Sequence, residues 1–140
     1  MTIIQEDITG CGIASVANIV GLPYATVKAK ASSIGISVDD DTLFSDTGYV
    51  RKLLNEYDFH ASSGEIPFES WESLPDLALL SIKHYTENYR NYWHWVVFKR
   101  EQDNPVVLDS SVYLKENKRT DFNAMKPEWY IEVINKCHEL

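Results

Sequence analysis

The hydrophobic pattern changes character near residue 58, and this change constrains the fold more than any other feature of the sequence. Before it, apolar residues recur at intervals of three and four positions, which is typical of amphipathic helices. After it, short apolar or alternating runs lie between polar turn segments, which is typical of strands. Helices followed by strands predict an α+β fold in which N-terminal helices pack on a C-terminal antiparallel β-sheet.

Start and stop signals delimit three predicted helices. The first begins at Cys11 and ends at Gly21, and the second ends at Gly35, because glycine is the usual residue just past a helix end. Asp46 or Thr47 is placed to cap the third helix. The apolar positions of this third helix share one face: Tyr49, Val50, Leu53, Leu54 and Tyr57.

Five strands are predicted, over residues 59–61, 77–82, 93–99, 106–109 and 129–134. The charged segment 114–127 is predicted to be a loop. The chain has 140 residues and contains no repeat or low-complexity linker. A single domain over residues 1–140, long enough to bury a core without disulfides, is therefore expected.

Composition excludes several classes of protein. The net charge of −8 gives no electrostatic support for a nucleic-acid partner, and no apolar run approaches the length of a membrane span. The two cysteines, Cys11 and Cys137, form neither a disulfide framework nor a zinc motif, so no metal or other cofactor is implied. No signal peptide is evident, and a cytoplasmic protein is expected. Nothing in the sequence specifies an oligomeric state.

Cys11 is the first candidate for chemistry. It lies in the first turn of a helix, where the positive end of the helix dipole favours the nucleophilic thiolate. It falls opposite the apolar stripe that begins at Ile13, which favours a functional thiol over an inert buried one. Gly10 and Gly12 lack side chains and are expected to let another molecule approach the sulfur. Gln5 carries an amide that can donate to a developing oxyanion.

His94 is the best partner for this thiol among the four histidines. His60 and His84 lie near strand ends with no acid placed to orient the imidazole, and His138 lies in a charged tail. If Arg100 pairs with Pro105 across the predicted hairpin, Asp109 lies diagonal to His94 on the same face. A carboxylate there can fix the tautomer of the imidazole. A partly buried histidine with a neighbouring acid and no catalytic role is the alternative.

These residue types suit acyl transfer. A cysteine attacks the carbonyl, a histidine keeps it ionised and later protonates the leaving amine, and an aspartate orients the histidine. The Gln5 amide and the Cys11 backbone N–H can stabilise the tetrahedral oxyanion. Cys137 has no such neighbours and is expected to react as an ordinary thiol.

The spacing Gln5-x5-Cys11-Gly12 resembles that of the papain-like cysteine peptidases. The segments at His94-Trp95-Val96-Val97 and Val107-Leu108-Asp109 look more like the bacterial C39 and C39-like branch. The resemblance implies a papain-like fold, with Cys11 as nucleophile, His94 as general base and acid, Asp109 as orienting residue and Gln5 as oxyanion donor. It also implies a peptide or protein substrate bound in an extended conformation.

The sequence departs from that branch at two places. Gly10 stands where members often have an acidic residue, and Ser110 stands where they often have proline. Three hypotheses follow. The first is a cysteine peptidase that works through a thioester acyl-enzyme. The second is another acyl transfer by the same residues, such as that of a deamidase or transglutaminase. The third is a non-catalytic peptide-binding module.

Overall fold

Three α-helices precede the strands, as the sequence pattern predicts. They are α1 (Cys11–Val20), α2 (Tyr24–Ser33) and α3 (Gly48–Asn55), and a 3₁₀ segment (Asp41–Ser45) comes before α3. The structure is a computed structural model that describes residues 2–136, so the predictions for Cys137 and His138 lie outside the described residues. Gly21 ends α1 with a φ of 77°, in the left-handed region that glycine tolerates best.

The described residues also form a seven-stranded antiparallel sheet. The strands are β1 (Phe59–Ala61), β2 (Ile66–Pro67), β3 (Leu77–Glu87), β4 (Arg90–Glu101), β5 (Asn104–Leu108), β6 (Lys118–Arg119) and β7 (Trp129–Asn135). Six of them follow the spatial order β1-β7-β3-β4-β5-β6, and β2 also pairs with β7. The predicted α+β class is therefore confirmed, and among residues 2–136 no helix is long and apolar enough to span a bilayer.

The β4–β5 hairpin has the predicted register. Arg100 lies opposite Pro105, and the ladder ends where Val97 pairs with Leu108. The strands are joined through Gln102 and Asp103, whose φ angles of 51° and 69° suit a tight two-residue hairpin turn. Beyond Val97 no β5 residue pairs with β4, so the backbone of β4 at His94 has a strand partner on the β3 side but not on the β5 side.

Segment 114–127 is not entirely loop as predicted. It contains β6, which pairs with β5, and a short 3₁₀ segment at Phe122–Ala124. Strands β3 and β4 also extend beyond their predicted ends. These extensions are polar and exposed, so they carry no hydrophobic alternation that a sequence pattern could detect.

Both faces of the sheet are covered. On one face the helices pack against Leu79, Trp95 and Val97 in one buried cluster. On the other face, Val96 and Phe98 belong to a second cluster that is closed by irregular segments. The alternation of side chains along β4 separates the two clusters. The predicted packing of helices on a sheet thus describes one of two buried layers.

Candidate active site

The start of α1 is enclosed more fully than its sequence pattern predicts. Ile13 and Val16 are buried as expected, but Cys11, Ala14 and Ser15 on the predicted polar side are buried as well. The helix contacts β4, α2 and α3, so its first two turns have no solvent-facing side. Cys11 is 6% exposed and belongs to the buried cluster between the helices and the sheet. Burial by several neighbouring elements overrides the amphipathic pattern here.

The expectation that Gly10 and Gly12 leave room for another molecule is wrong. The space beside each glycine is filled by a tyrosine of the same chain. A β-carbon at Gly12 would lie 2.7 Å from Cζ of Tyr49, and one at Gly10 would lie 3.1 Å from Cζ of Tyr24. These glycines therefore allow close packing of α1 against its own neighbours.

The structure brings His94 together with both Asp109 and Cys11. The Nε2 atom of His94 lies 2.7 Å from Oδ1 of Asp109. The Cys11 thiol is the second group that acts on the imidazole, since together with Asp109 it raises the pKa of His94. With Nε2 occupied by the carboxylate, Nδ1 is the ring nitrogen left for the thiol. The remaining described histidines are placed differently: His60 is exposed on β1, and His84 stacks on Trp93.

Electrostatic interactions favour the charged forms of His94 and Asp109. Burial of the imidazole opposes its protonation, but hydrogen bonds and charges from Asp109 and Cys11 raise the pKa of His94 to about 9. Burial likewise opposes ionisation of Asp109. Hydrogen bonds from His94, Ser111 and Arg119 outweigh it and lower the pKa of the Asp109 carboxyl to about 2. Near neutral pH, the arrangement is thus an imidazolium–carboxylate pair.

The segment that follows Asp109 fixes the position of this carboxylate, and the sequence pattern did not predict this role. The Arg119 guanidinium donates to Oδ2 of Asp109 at 2.9 Å, and the Ser111 N–H donates to Oδ1 at 3.0 Å. The Asn117 side chain donates to the backbone carbonyls of Asp109 and Ser111, at 2.7 Å each. Nothing in the sequence separates Arg119 from Lys115 and Lys118 in the same charged segment.

Gln5 lies beside the end of β5, with its side-chain amide engaged by the chain itself. Its Nε2 donates to the carbonyl oxygens of Asp7 at 3.0 Å and Ile8 at 3.3 Å. Its Oε1 accepts a hydrogen bond of 2.9 Å from the Ser110 hydroxyl. The two carbonyls fix which end of the amide is nitrogen, since an amide oxygen there would face two acceptors. An oxyanion donor role requires one of these N–H groups to change partner.

A cleft of about 290 Å³ opens beside Gln5. Three of its lining side chains are apolar and exposed, namely Ile8, Val112 and Tyr113. It is lined by Gln5, Glu6, Asp7, Ile8, Val112 and Tyr113. A larger groove of about 470 Å³ is lined by residues such as His84, Arg90 and Trp129. Neither the cleft nor this groove is lined by Cys11, His94 or Asp109.

A double glycine motif protease from an AMS/PCAT transporter, solved in complex with the leader peptide, has a similar fold. The two chains are 19% identical with a TM-score of 0.58, and the match covers 95% of this chain and 89% of that one. The three helices and the antiparallel sheet therefore resemble the C39 peptidase fold. At this identity the likeness shows the fold alone. No protein-family model matches the sequence, and no curated protein does.

Proposed function

We propose that this protein is a cysteine peptidase of the C39-like type, with a papain-like fold, and that it cleaves an amide bond in a peptide or small protein. The observation that carries the proposal is the chain of contacts from Cys11 through His94 to Asp109. A nucleophilic thiol beside an imidazole that is fixed by a buried carboxylate is the arrangement that nucleophilic acyl transfer requires.

In the proposed mechanism, the proton of the Cys11 thiol already resides on Nδ1 of the His94 imidazolium before the substrate binds. The Cys11 thiolate then attacks the carbonyl carbon of the substrate. The oxyanion accepts hydrogen bonds from the Cys11 backbone N–H and from the Gln5 amide, which turns away from the more distant Ile8 carbonyl. The imidazolium then protonates the leaving amine, and a thioester remains on Cys11. Water, deprotonated by His94, hydrolyses this thioester and regenerates the thiol.

The cleft beside Gln5 is the proposed position of the substrate. Its exposed Ile8, Val112 and Tyr113 offer apolar surface to a side chain of an extended peptide. We prefer it to the larger groove because it contains Gln5, which is linked to Ser110 next to Asp109. The leader peptide bound to the structural neighbour supports a peptide as the class of substrate.

The first test labels the protein with an electrophilic peptide, a peptidyl chloromethyl ketone, at pH 6 and maps the modified thiol by mass spectrometry. An ordinary thiol, with a pKa near 8.5, is almost wholly protonated at this pH. We expect Cys11 to be labelled faster than Cys137, and we expect His94→Ala to abolish the difference. Equal labelling of both thiols in the wild-type protein would contradict the proposal.

The second test incubates wild type and Cys11→Ala with a peptide library and compares masses. New peptide termini that depend on Cys11 indicate hydrolysis. Glutamine-to-glutamate changes or amide cross-links that depend on Cys11 indicate the alternative acyl transfers. Peptides retained intact by both proteins, with no product from either, indicate a binding module and would refute an enzymatic function.

A further inference from the structure

Asp109 is shared between two cationic side chains. Its side chain has no exposed surface, and its two carboxylate oxygens have different partners: Oδ1 faces His94 at 2.7 Å, and Oδ2 faces Arg119 at 2.9 Å. A second cation bound to the same buried carboxylate repels the first, so it offsets part of the stabilisation that the carboxylate gives. The imidazolium of His94 therefore does not receive the whole effect of the charge on Asp109.

Arg119 is itself fixed in position. Its side chain is 13% exposed, and Asp121 binds the guanidinium at two points, Nε to Oδ1 at 2.9 Å and Nη2 to Oδ2 at 2.6 Å. Its backbone is paired with Val107 in the β5–β6 ladder. A guanidinium held in this bidentate manner has one orientation, which directs Nη1 at Asp109.

We propose that Arg119 is a positioning residue of the candidate active site. It acts through Asp109, fixing the rotation of the carboxylate so that Oδ1 faces His94. It also limits how strongly that carboxylate favours the imidazolium. An imidazolium that is stabilised less gives up its proton to the leaving amine more readily. This inference rests on the proposed peptidase function, because a proton donor is needed only if an amine leaves.

The charged groups around His94 determine the direction in which its titration midpoint should shift when Arg119 is replaced. Cys11 faces the imidazole from α1, Asp109 faces it from the end of β5, and Ile82 pairs with it on β3 and carries no charge. Arg119 is the positive charge that touches the same carboxylate. Removing that charge leaves the carboxylate to His94 alone, so the imidazolium becomes more stable and titrates at higher pH.

The test is an NMR titration of the His94 imidazole in wild type, Arg119→Gln, Arg119→Lys and Lys118→Met, with the signal assigned by its loss in His94→Ala. We expect Arg119→Gln to raise the titration midpoint of His94 by roughly one pH unit. Arg119→Lys should keep the midpoint near the wild-type value because it keeps the charge.

Lys118→Met is the matched control. It removes a positive charge from the adjacent residue of β6, but Lys118 is 54% exposed and pairs with Glu101. We expect this variant to titrate as wild type does. An Arg119→Gln midpoint that is unchanged or lowered would overturn the inference. If Arg119→Gln does not fold, Arg119→Lys decides instead: a His94 midpoint that departs clearly from the wild-type value although the charge is kept would overturn the inference.

The titration test of Arg119 can be distinguished from the tests of the proposed peptidase function. The titration measures the effect of nearby charges on His94 directly and needs no substrate. Peptidase function fails if Cys11 shows no His94-dependent labelling and no cleavage, whatever the titration gives. The inference fails if wild type shows both of these while the His94 midpoint does not depend on the charge at position 119.

Discussion

Asp109 has no contact with water, and a carboxylate in that position is stable only if protein groups replace its hydration. His94, Arg119 and the Ser111 N–H provide this replacement. The same contacts hold the carboxylate against one ring nitrogen of His94 and leave the other for Cys11. At the scale of the residue, the hydrogen bonds that make burial of the Asp109 carboxylate possible are therefore also the ones that orient the His94 imidazole.

Asp109→Asn tests this arrangement. An asparagine keeps the size of the side chain but can present an N–H donor where His94 needs an acceptor, which favours the wrong tautomer. We expect the rate of Cys11 alkylation at pH 6 to fall, and turnover of an identified peptide substrate to fall by on the order of 10³–10⁴. Iodoacetamide kinetics with mass-spectrometric site assignment measures the first effect.

Asp103→Asn is the matched control, because Asp103 lies in the exposed turn of the same hairpin. It should react as wild type does. A folded Asp109→Asn protein whose Cys11 still reacts at the wild-type rate would mean that another group orients His94. Asp109 would then no longer be assigned to the proposed site.

Gln5→Ala tests the proposed oxyanion donor. Gln5 takes no part in forming the thiolate, so alkylation of Cys11 should be nearly unchanged, whereas peptide turnover should fall by roughly 10²–10³. Ser110→Ala removes the hydrogen bond to Oε1 but keeps both amide N–H groups, so its turnover should fall far less. If the two variants lose turnover equally, Gln5 only connects the loop at residues 5–8 to Ser110.

The three residues at the centre of the candidate site could be chosen from the sequence because each lies at a recognisable point. Cys11 opens a helix, and the hairpin register relates His94 to Asp109. Arg119 could not be chosen. Its partner is ten positions away across a two-residue strand, and such a short strand leaves no periodic pattern. The space at Gly12 was misjudged because the residue that fills it, Tyr49, belongs to another helix.

At the scale of the element, α1 is held by close packing at its first turn. The ring of Tyr49 on α3 occupies the position that a side chain at Gly12 would need. This contact brings α3 against the start of α1, where Cys11 lies. The sequence predicted the start and end of α1 and the start of α3, because caps and breakers are local signals. It extended the third helix to Tyr57, but α3 ends at Asn55 and Tyr57 lies in the turn that follows. It did not predict that α1 is buried on all sides of its first two turns, which depends on tertiary contacts.

Gly12→Ala is therefore expected to destabilise the protein. In a solvated helix, replacing glycine with alanine stabilises by about 1 kcal/mol. At Gly12 the added methyl group meets Tyr49, and overpacking costs about 1–3 kcal/mol. We expect the overpacking to dominate and to lower the free energy of unfolding measured with urea. Gly64→Ala adds the same methyl group in open space and should change stability little. A Gly12→Ala variant as stable as wild type would show that Tyr49 moves aside without cost.

At the scale of the whole molecule, the site lies where the two halves of the chain meet. The helical half supplies Cys11 and Gln5 comes just before it, while the sheet supplies His94, Asp109 and Arg119. The backbone N–H of Gln5 donates to the Ser110 carbonyl at 3.0 Å, which fastens the N-terminal segment to the end of β5. Formation of the site thus requires packing of the helices on the sheet. We therefore expect the pairing of His94 and Asp109 to contribute to the free energy of unfolding of the whole protein.

The pH dependence of unfolding tests that connection. The pKa of His94 is about 9 in the folded protein against an ordinary 6.5, so the stability it contributes is fully present below pH 6.5 and is lost as pH rises through 9. The pKa of Asp109 is lowered from 3.8 to about 2, so its contribution is present above 3.8 and is lost as pH falls through 2. The two contributions together are largest between these ranges, from about pH 4 to 6.5.

The measurement compares urea unfolding of wild type and His94→Ala at pH 6 and pH 9. Both proteins share the other titrating groups, including His60 and His84, so their effects largely cancel in the difference between the two free energies. We expect wild type to lose stability relative to His94→Ala on going from pH 6 to pH 9. A difference that stays constant over this range would mean that His94 is not held as an imidazolium by Asp109, and the proposed ion pair would have to be abandoned.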